Sequence, residues 1–170
     1  MSAVETPELQ SWIDQRGIED LIYRYSDAVT RADWDQLDSV FTEASILEIG
    51  SPFDLRYEGV QAIHGLLSGS SQLEFLIQTA SSPVIRIVGP GRAQATTTIH
   101  EMVRGLSGAA TGLGEAGAPT NIDQYGVYFD DIVKVDGDWK FAHRVFRPIY
   151  IESDSLTGSV ITARAGLAAR

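Results

Sequence analysis

The chain contains no cysteine. That absence removes disulfides, thiol nucleophiles and thiolate metal sites together. Basic residues are scarce as well: 13 Lys and Arg stand against 23 Asp and Glu, a formal charge of −10 over 170 residues. Such a balance argues against nucleic acid and against an anionic membrane surface, since both recruit a basic patch. No apolar run approaches the roughly 18 residues of a membrane span. The opening MSAVETPELQ lacks the basic start and apolar stretch of a secretory signal, so a cytoplasmic protein is expected. Histidine is sparse too. His64, His100 and His143 lie far apart with no HxxxH spacing, so no metal site is expected. The glycines of GLSGAATGLGEAG open no helix, no Walker-type lysine is present, and no serine sits in a nucleophile-elbow context.

What remains is a chain of ordinary globular make-up, 44% hydrophobic, long enough for about one domain with a real core. From Ile18, the apolar residues Leu21, Ile22, Tyr25, Ala28, Val29 and Ala32 fall on one helical face. A second, short helix is expected from Trp34 to about Phe41, with Asp33 as its N-cap. ILEIG at 46–50 and RYEG at 56–59 read as strand pieces, and GVQAIHGLL at 59–67 as a third short helix. Beyond Gln72 the texture becomes that of strands, expected at 72–80, 84–89, 92–105, 123–135 and 138–150. GPG at 89–91 and DGD at 136–138 are the turn signals between them. The Gly/Ala-rich stretch 105–121 reads as a flexible loop in a long hairpin, and the tail 151–170 as a short helix or a disordered end. Helices followed by a run of strands is the α+β order, here taken as a single domain over 1–150. A strongly bent mixed or antiparallel sheet with helices on its concave side would enclose a pocket.

Individual residues sharpen this. On a wheel of about 100° per residue, Tyr25 lies mid-stripe, Thr30 at its border and Asp27 on the wet side beside Arg31. Along RAQATTTIHEMVR, alternation puts Glu101 in one row with Ala93, Ala95, Thr97, Ile99 and Val103. A carboxylate there faces the interior, where desolvation would raise its pKa towards that of a useful base. The alternatives are a salt bridge, for example with Arg144, or an edge position near the loop. His64 reads as a surface residue. His143 shares strand parity with Trp139, Phe141 and Val145, which reads as a core histidine.

Three separated segments, YSDAVTRADWDQLDSVF, SSPVIRIVGPGRAQATTT and YGVYFDDIVKVDGDWKFAHR, together resemble the SnoaL-like group of the nuclear-transport-factor-like cone-fold superfamily, over roughly residues 12 to 150. The resemblance implies a cone-shaped α+β fold with an apolar pocket. Enzymatic relatives such as scytalone dehydratase pair an Asp late in the first helix with a His on a following strand. Here those positions hold Thr30 and Gln78, so neither half of that dyad is carried over. Tyr25 does match a pocket tyrosine of these relatives, Glu101 a second acid of the bile-acid dehydratases, and Arg144 the W-x-x-x-x-R pattern of the last strand. The site expected on this basis has Glu101 and Tyr25 as catalytic groups, with Thr30, Gln78, Tyr128 and Arg144 on the substrate.

Three functions stay open. The first is a cofactor-independent lyase, isomerase or cyclase acting on a carbonyl-bearing polyketide- or steroid-like molecule. The second is a non-catalytic binder of an apolar small molecule, and the third a small subunit of a ring-hydroxylating dioxygenase. No cofactor is implied. Relatives assemble through the sheet face, and the apolar residues on both faces of the last strand, Trp139 and Phe141 against Ala142 and Phe146, suggest a homo-oligomeric dimer or trimer.

Overall fold

A computed structural model describes residues 7–107, 119–153, 156–162 and 164–167. The apolar stripe that begins at Ile18 is the buried half of a longer helix. This helix, α1 (Pro7–Arg31), buries Ile18, Leu21, Ile22, Tyr25, Ser26, Ala28 and Val29. A tight link follows, with Ala32 in the left-handed region at φ 59°. Asp33 then caps α2 (Trp34–Ser39), its carboxylate accepting from the Gln36 N–H at 3.0 Å. Strands β1 (Phe41–Ile49) and β2 (Leu55–Glu58) precede α3 (Val60–Ser68), a 3₁₀ turn (Gly69–Gln72), and the long strands β3 (Phe75–Gly89), β4 (Arg92–Ser107), β5 (Pro119–Val135) and β6 (Asp138–Glu152). No helix among the described residues is long and apolar enough to cross a membrane.

The six strands form one mixed, curved sheet in the order β2-β1-β6-β5-β4-β3. β1 and β6 run parallel and every other pair antiparallel. The helices fill the hollow, with α1 lying along β3. The core therefore sits between the stripe of α1 and the inward rows of β4, β5 and β6, where Ala93, Ile99, Val103, Ile122, Ile132 and Phe141 are all buried.

Two irregularities change what alternation alone predicts. QLEFLIQTA and VIRIVG, expected as separate strands, are one strand: Ser81-Ser82-Pro83 forms a bulge with Ser82 at φ 50°, and pairing to β4 resumes at Val84. Proline cannot donate to a ladder, so a bulge is where it fits. The second bulge matters more. Asp131 pairs with His143 and Ile132 with Phe141, leaving Ala142 as an extra residue in β6. One extra residue swaps the faces of the residues beyond it, here as far as the next shift of the β5–β6 pairing, between Pro148 and Tyr150. Trp139 and Phe141 point inward before the bulge, and Arg144 and Phe146 point inward after it. His143 is consequently not the core histidine that parity suggests; it turns outward, its Nε2 3.0 Å from Glu48 Oε1. Of the apolar residues expected on the second face of β6, Phe146 turns inward for the same reason and joins Trp139 and Phe141 in the core, while Ala142 is itself the bulge residue.

The expected loop at 105–121 falls largely outside the described residues, with β4 reaching Ser107 and β5 starting at Pro119. The described part of the tail includes a 3₁₀ turn, Arg164–Leu167, that returns to the body of the fold: Arg164 is buried.

Gly126 on β5 faces inward beneath the Phe146 ring. A β-carbon there would overlap that ring and come within 2.8 Å of the Arg147 carbonyl oxygen. Overpacking of this kind costs about 1–3 kcal/mol, more where backbone blocks relief. Gly126→Ala is expected to destabilise by at least that much in urea denaturation, whereas Gly65→Ala, with open space around it, should stabilise α3 slightly.

Candidate functional site

The register of three antiparallel strands builds the site. Gln78 on β3 stands opposite Glu101 on β4, and Glu101 stands opposite Gln124 on β5. Directly opposed residues share a sheet face, so the three side chains form a row across the concave surface. One Glu101 oxygen accepts from Gln78 Nε2 and the other from Gln124 Nε2, each at 2.7 Å. Glu101 stays partly accessible because its carboxylate opens onto a cavity, yet the surrounding protein strips most of its hydration. Burial raises its pKa; the two amide hydrogen bonds and the more distant positive charge of Arg164 pull it back only in part.

Around this row the cavity encloses ≈ 330 Å³, walled by Val29, Leu47, Phe53, Leu67, Ile122 and Phe146 among other apolar side chains. A larger hollow of ≈ 520 Å³ lies under the tail, between residues 156–162 and the β3–β4 edge, but among the described residues no acid lines it. Convergent polar groups in an apolar wall, more than size, mark a site of chemistry. The smaller cavity meets that description.

Tyr25 and Tyr128 complete its polar side. Their hydroxyls lie 3.3 Å apart, and Tyr128 also accepts from Gln78 Nε2 at 3.3 Å. Burial raises both phenols, Tyr128 the more strongly, against the opposing field of Arg144, so both keep their protons at neutral pH. Arg144 is held beneath them rather than in the cavity. Its guanidinium stacks 3.8–4.1 Å from the Tyr25, Tyr128 and Phe141 ring centroids. Asp130 balances the charge: Nε and Oδ1 are 3.0 Å apart, though poorly aligned for a hydrogen bond, and Nη2 donates to Oδ2 at 3.3 Å. Burial raises the Asp130 pKa to about 6 even against this partner.

Tyr25, Gln78, Glu101 and Tyr128 thus meet in one cavity. Thr30 stands apart. It lines the larger hollow, and its hydroxyl is committed to the Gln78 backbone, accepting from N–H at 3.0 Å and donating to the carbonyl at 3.4 Å. Arg144, freed of any bond to Glu101, supports the tyrosines from behind. Asp27 is paired at the surface with Arg31, at 2.6 Å. His64 meets Asp38, and His100 stacks on Tyr125 with Asp123 at 2.7 Å, away from the row. Among the described residues no group of three His, Asp or Glu side chains gathers to hold a metal.

Sequence reading passed over Gln124, Asp130 and Arg164. Parity could have found the first two, since both lie an even number of residues from Tyr128. Nothing local marks Arg164, which reaches back from the tail to the last carbonyls of α1. It donates through Nε to Thr30 O (3.1 Å), through Nη2 to Val29 O, and through Nη1 to the Ser70 carbonyl (2.7 Å) and hydroxyl (3.0 Å). A cation at a helix C-terminus satisfies orphan carbonyls and suits the helix dipole.

An α+β cone whose hollow carries a buried polar row defines a class of pocket-bearing, cone-fold proteins. Within that class the chain belongs to the SnoaL-like domain family, whose model matches residues 10–145. No curated protein matches the chain. Solved structures do. A candidate scytalone dehydratase from Novosphingobium aromaticivorans is 22% identical, with a TM-score of 0.69 over 88% of this chain and 93% of that one. The hexachlorocyclohexane dehydrochlorinase LinA-type3 from Novosphingobium barchaimii is 15% identical, with a TM-score of 0.74 over 91% and 99%. A candidate aromatic ring hydroxylase from Novosphingobium aromaticivorans is 16% identical, with a TM-score of 0.69 over 88% and 96%. At these identities the likeness is one of fold.

The two aspartates should part company on mutation. Removing one member of a buried ion pair strands the other and costs about 3–5 kcal/mol; an exposed helix pair contributes a few tenths. Asp130→Asn is expected to lower stability by several kcal/mol in chemical denaturation, Asp27→Asn by less than about 1 kcal/mol.

Proposed function

We propose that the protein is a cofactor-independent proton-transfer enzyme, a lyase or isomerase acting on a compact, largely apolar, carbonyl-bearing substrate. The observation that carries this reading is Glu101: an acid of raised pKa on the wall of an apolar cavity, facing two protonated phenols. Its carboxylate takes a proton from carbon beside the substrate carbonyl, and the electron pair moves towards the carbonyl oxygen. One hydroxyl hydrogen of the Tyr25–Tyr128 pair lies in the bond between them; the other is left to donate to that oxygen as charge develops. Return of the proton to another carbon gives isomerisation, and loss of a group from the neighbouring carbon gives elimination. Two of the similar folds are named for a dehydration and a dehydrochlorination, which supports this class. Thr30 and Gln78, standing where relatives keep the dyad, hold the frame: Thr30 fixes the Gln78 backbone, and Gln78 holds Glu101.

A second reading is a binder without chemistry. It is favoured by the same amides, since two short hydrogen bonds stabilise the carboxylate and lower its basicity. A homo-oligomer fits either reading. With Phe146 turned inward, that expectation rests on the outward Val84, Tyr125 and Phe129, which are exposed on the opposite sheet face.

The experiment is proton exchange. Small ketones, acetophenone among them, are incubated with the protein in deuterium oxide, and α-deuterium is followed by NMR. The wild type is expected to accelerate incorporation, and Glu101→Gln to lose roughly 10²–10⁴-fold, the usual share of a general base. The carboxylate is the active form and its pKa is raised, so the rate should climb with pH through a midpoint above the ordinary 4.5 of a glutamate and then level off. Exchange that persists in Glu101→Gln removes Glu101 from this role; ligand binding with no exchange in the wild type moves the protein to the second reading.

A further inference from the structure

The tail that follows β6 lies outside the stretch matched by the family model, residues 10–145. Two arginines fasten it. Arg104, on β4, donates through Nη1 to the carbonyls of Leu156 (2.8 Å) and Gly158 (2.7 Å), while its Nε and Nη2 grip Glu74 at 2.8 Å each. Arg164 reaches the other way, from the tail into the body of the fold. The two differ in how their charge is met. Arg104 has a carboxylate in contact. Arg164 is 4% exposed, and its hydrogen-bond partners among the described residues are three carbonyls and one hydroxyl, all neutral. Its guanidinium lies over the Trp34 ring, 5.4 Å from the centroid. A buried cation with no counter-ion in contact costs far more than fastening a tail requires.

Its points of attachment belong to the surroundings of Glu101. Val29 and Ser70 line that cavity. Thr30, whose carbonyl accepts from Arg164 Nε at 3.1 Å, is the residue whose hydroxyl accepts from the Gln78 N–H at 3.0 Å. Gln78 in turn donates to Glu101 at 2.7 Å. An unbroken chain of contacts therefore runs from Arg164 through Thr30 and Gln78 to the acid. The charges also meet across this wall: Glu101 is the acid whose field reaches Arg164, and the relation is mutual.

We infer that Arg164 is a positioning residue of the Glu101 site: from the tail it fixes the end of α1 and the Ser70 turn, holds the Thr30–Gln78 support in place, and sets a counter-charge behind the acid. This deepens the reading of Glu101 as the base and rests on it. The other elements packed around Glu101 supply no such charge. Gln78 on β3 and Gln124 on β5 are neutral, and Tyr25 on α1 and Tyr128 on β5 keep their protons at neutral pH. Arg144, behind the phenols, is paired with Asp130. The elements that meet Arg164 likewise offer it carbonyls, a hydroxyl and an indole ring, and no carboxylate in contact.

The test follows the Glu101 carboxyl carbon, the Gln78 side-chain amide and the Arg164 Nε–H by NMR across pH, with no substrate present. In the wild type the Arg164 signal should move with the Glu101 midpoint, as a cation coupled to that acid must. Arg164→Met takes a positive charge from the neighbourhood of a carboxylate, so the Glu101 midpoint should rise and the Gln78 signals shift. Arg164→Lys keeps a charge and should bring the midpoint back towards that of the wild type. A tail that merely excludes water gives the opposite sign, since hydrating Glu101 lowers its midpoint. That fall, or a midpoint unchanged in both variants, overturns the inference. Should neither variant fold, an Arg164 signal in the wild type that ignores Glu101 overturns it alone. In the exchange experiment Arg164→Met is expected to lose roughly 10-fold or more in turnover at unchanged KM, because Arg164 acts on the base and not on the ketone. A loss carried entirely by KM contradicts the positioning role. A wild type that performs no exchange yet shows the coupled titration would end the base reading and leave the placement of Arg164 standing.

Discussion

A carboxylate that leaves water must find partners in the protein, and the partners of Glu101 are two amide groups that the sheet register sets on either side of it. Most of the interior follows from that arrangement. Gln78 has to be held to hold Glu101, so Ser26 takes its oxygen and Thr30 its backbone. Among the described residues Gln124 has only Glu101 to orient it, and its own oxygen lies buried without a donor. The amides return enough stabilisation to keep the acid in place but less than burial removes, and the carboxyl stays above its ordinary pKa. An arginine in direct contact would have pulled it below.

The protein keeps its strongest cation out of that contact. Arg144 is fully buried, yet Asp130 and three aromatic faces absorb its charge. Guanidinium is planar and weakly hydrated, which is why it can be stacked this way. The placement depends on one extra residue, Ala142, since without the bulge Arg144 would face outward and His143 inward. Arg164 plays a quieter part. It draws the tail over the end of α1 and the turn at Ser70, and its field reaches Glu101 without an ion pair. Positive charge therefore surrounds the acid at a distance, and the neighbours that touch it are neutral.

Much of this was legible before any coordinates. Strict alternation along β4 put Glu101 in the inward row because nothing interrupts the pairing of Gln94 through Arg104 with β5. The stripe of α1 put Tyr25 at the centre of the core and Asp27 on the surface because a regular helix has one period throughout. What failed were inferences that crossed a bulge. Counting residues places His143 and Phe146 on the wrong faces, because the count is off by one past Ala142. Inferences from motif position fared unevenly for a related reason. Thr30 does stand near the site, but its hydroxyl is spent on a backbone, which no motif reveals. Arg164 depends on where a tail of small residues returns in space, and short-range pattern carries no such information.

The ionisation of Glu101 in the wild-type protein is the most direct thing to measure. An NMR titration of its side-chain carboxyl carbon, with the Gln78 and Gln124 amide signals followed alongside, reads it without any substrate. A midpoint above 4.5, shared by both amides as their acceptor gains a proton, is the predicted result. A carboxyl that titrates at or below that value, or amides that ignore its protonation, would contradict the picture of a desolvated acid held between two glutamines.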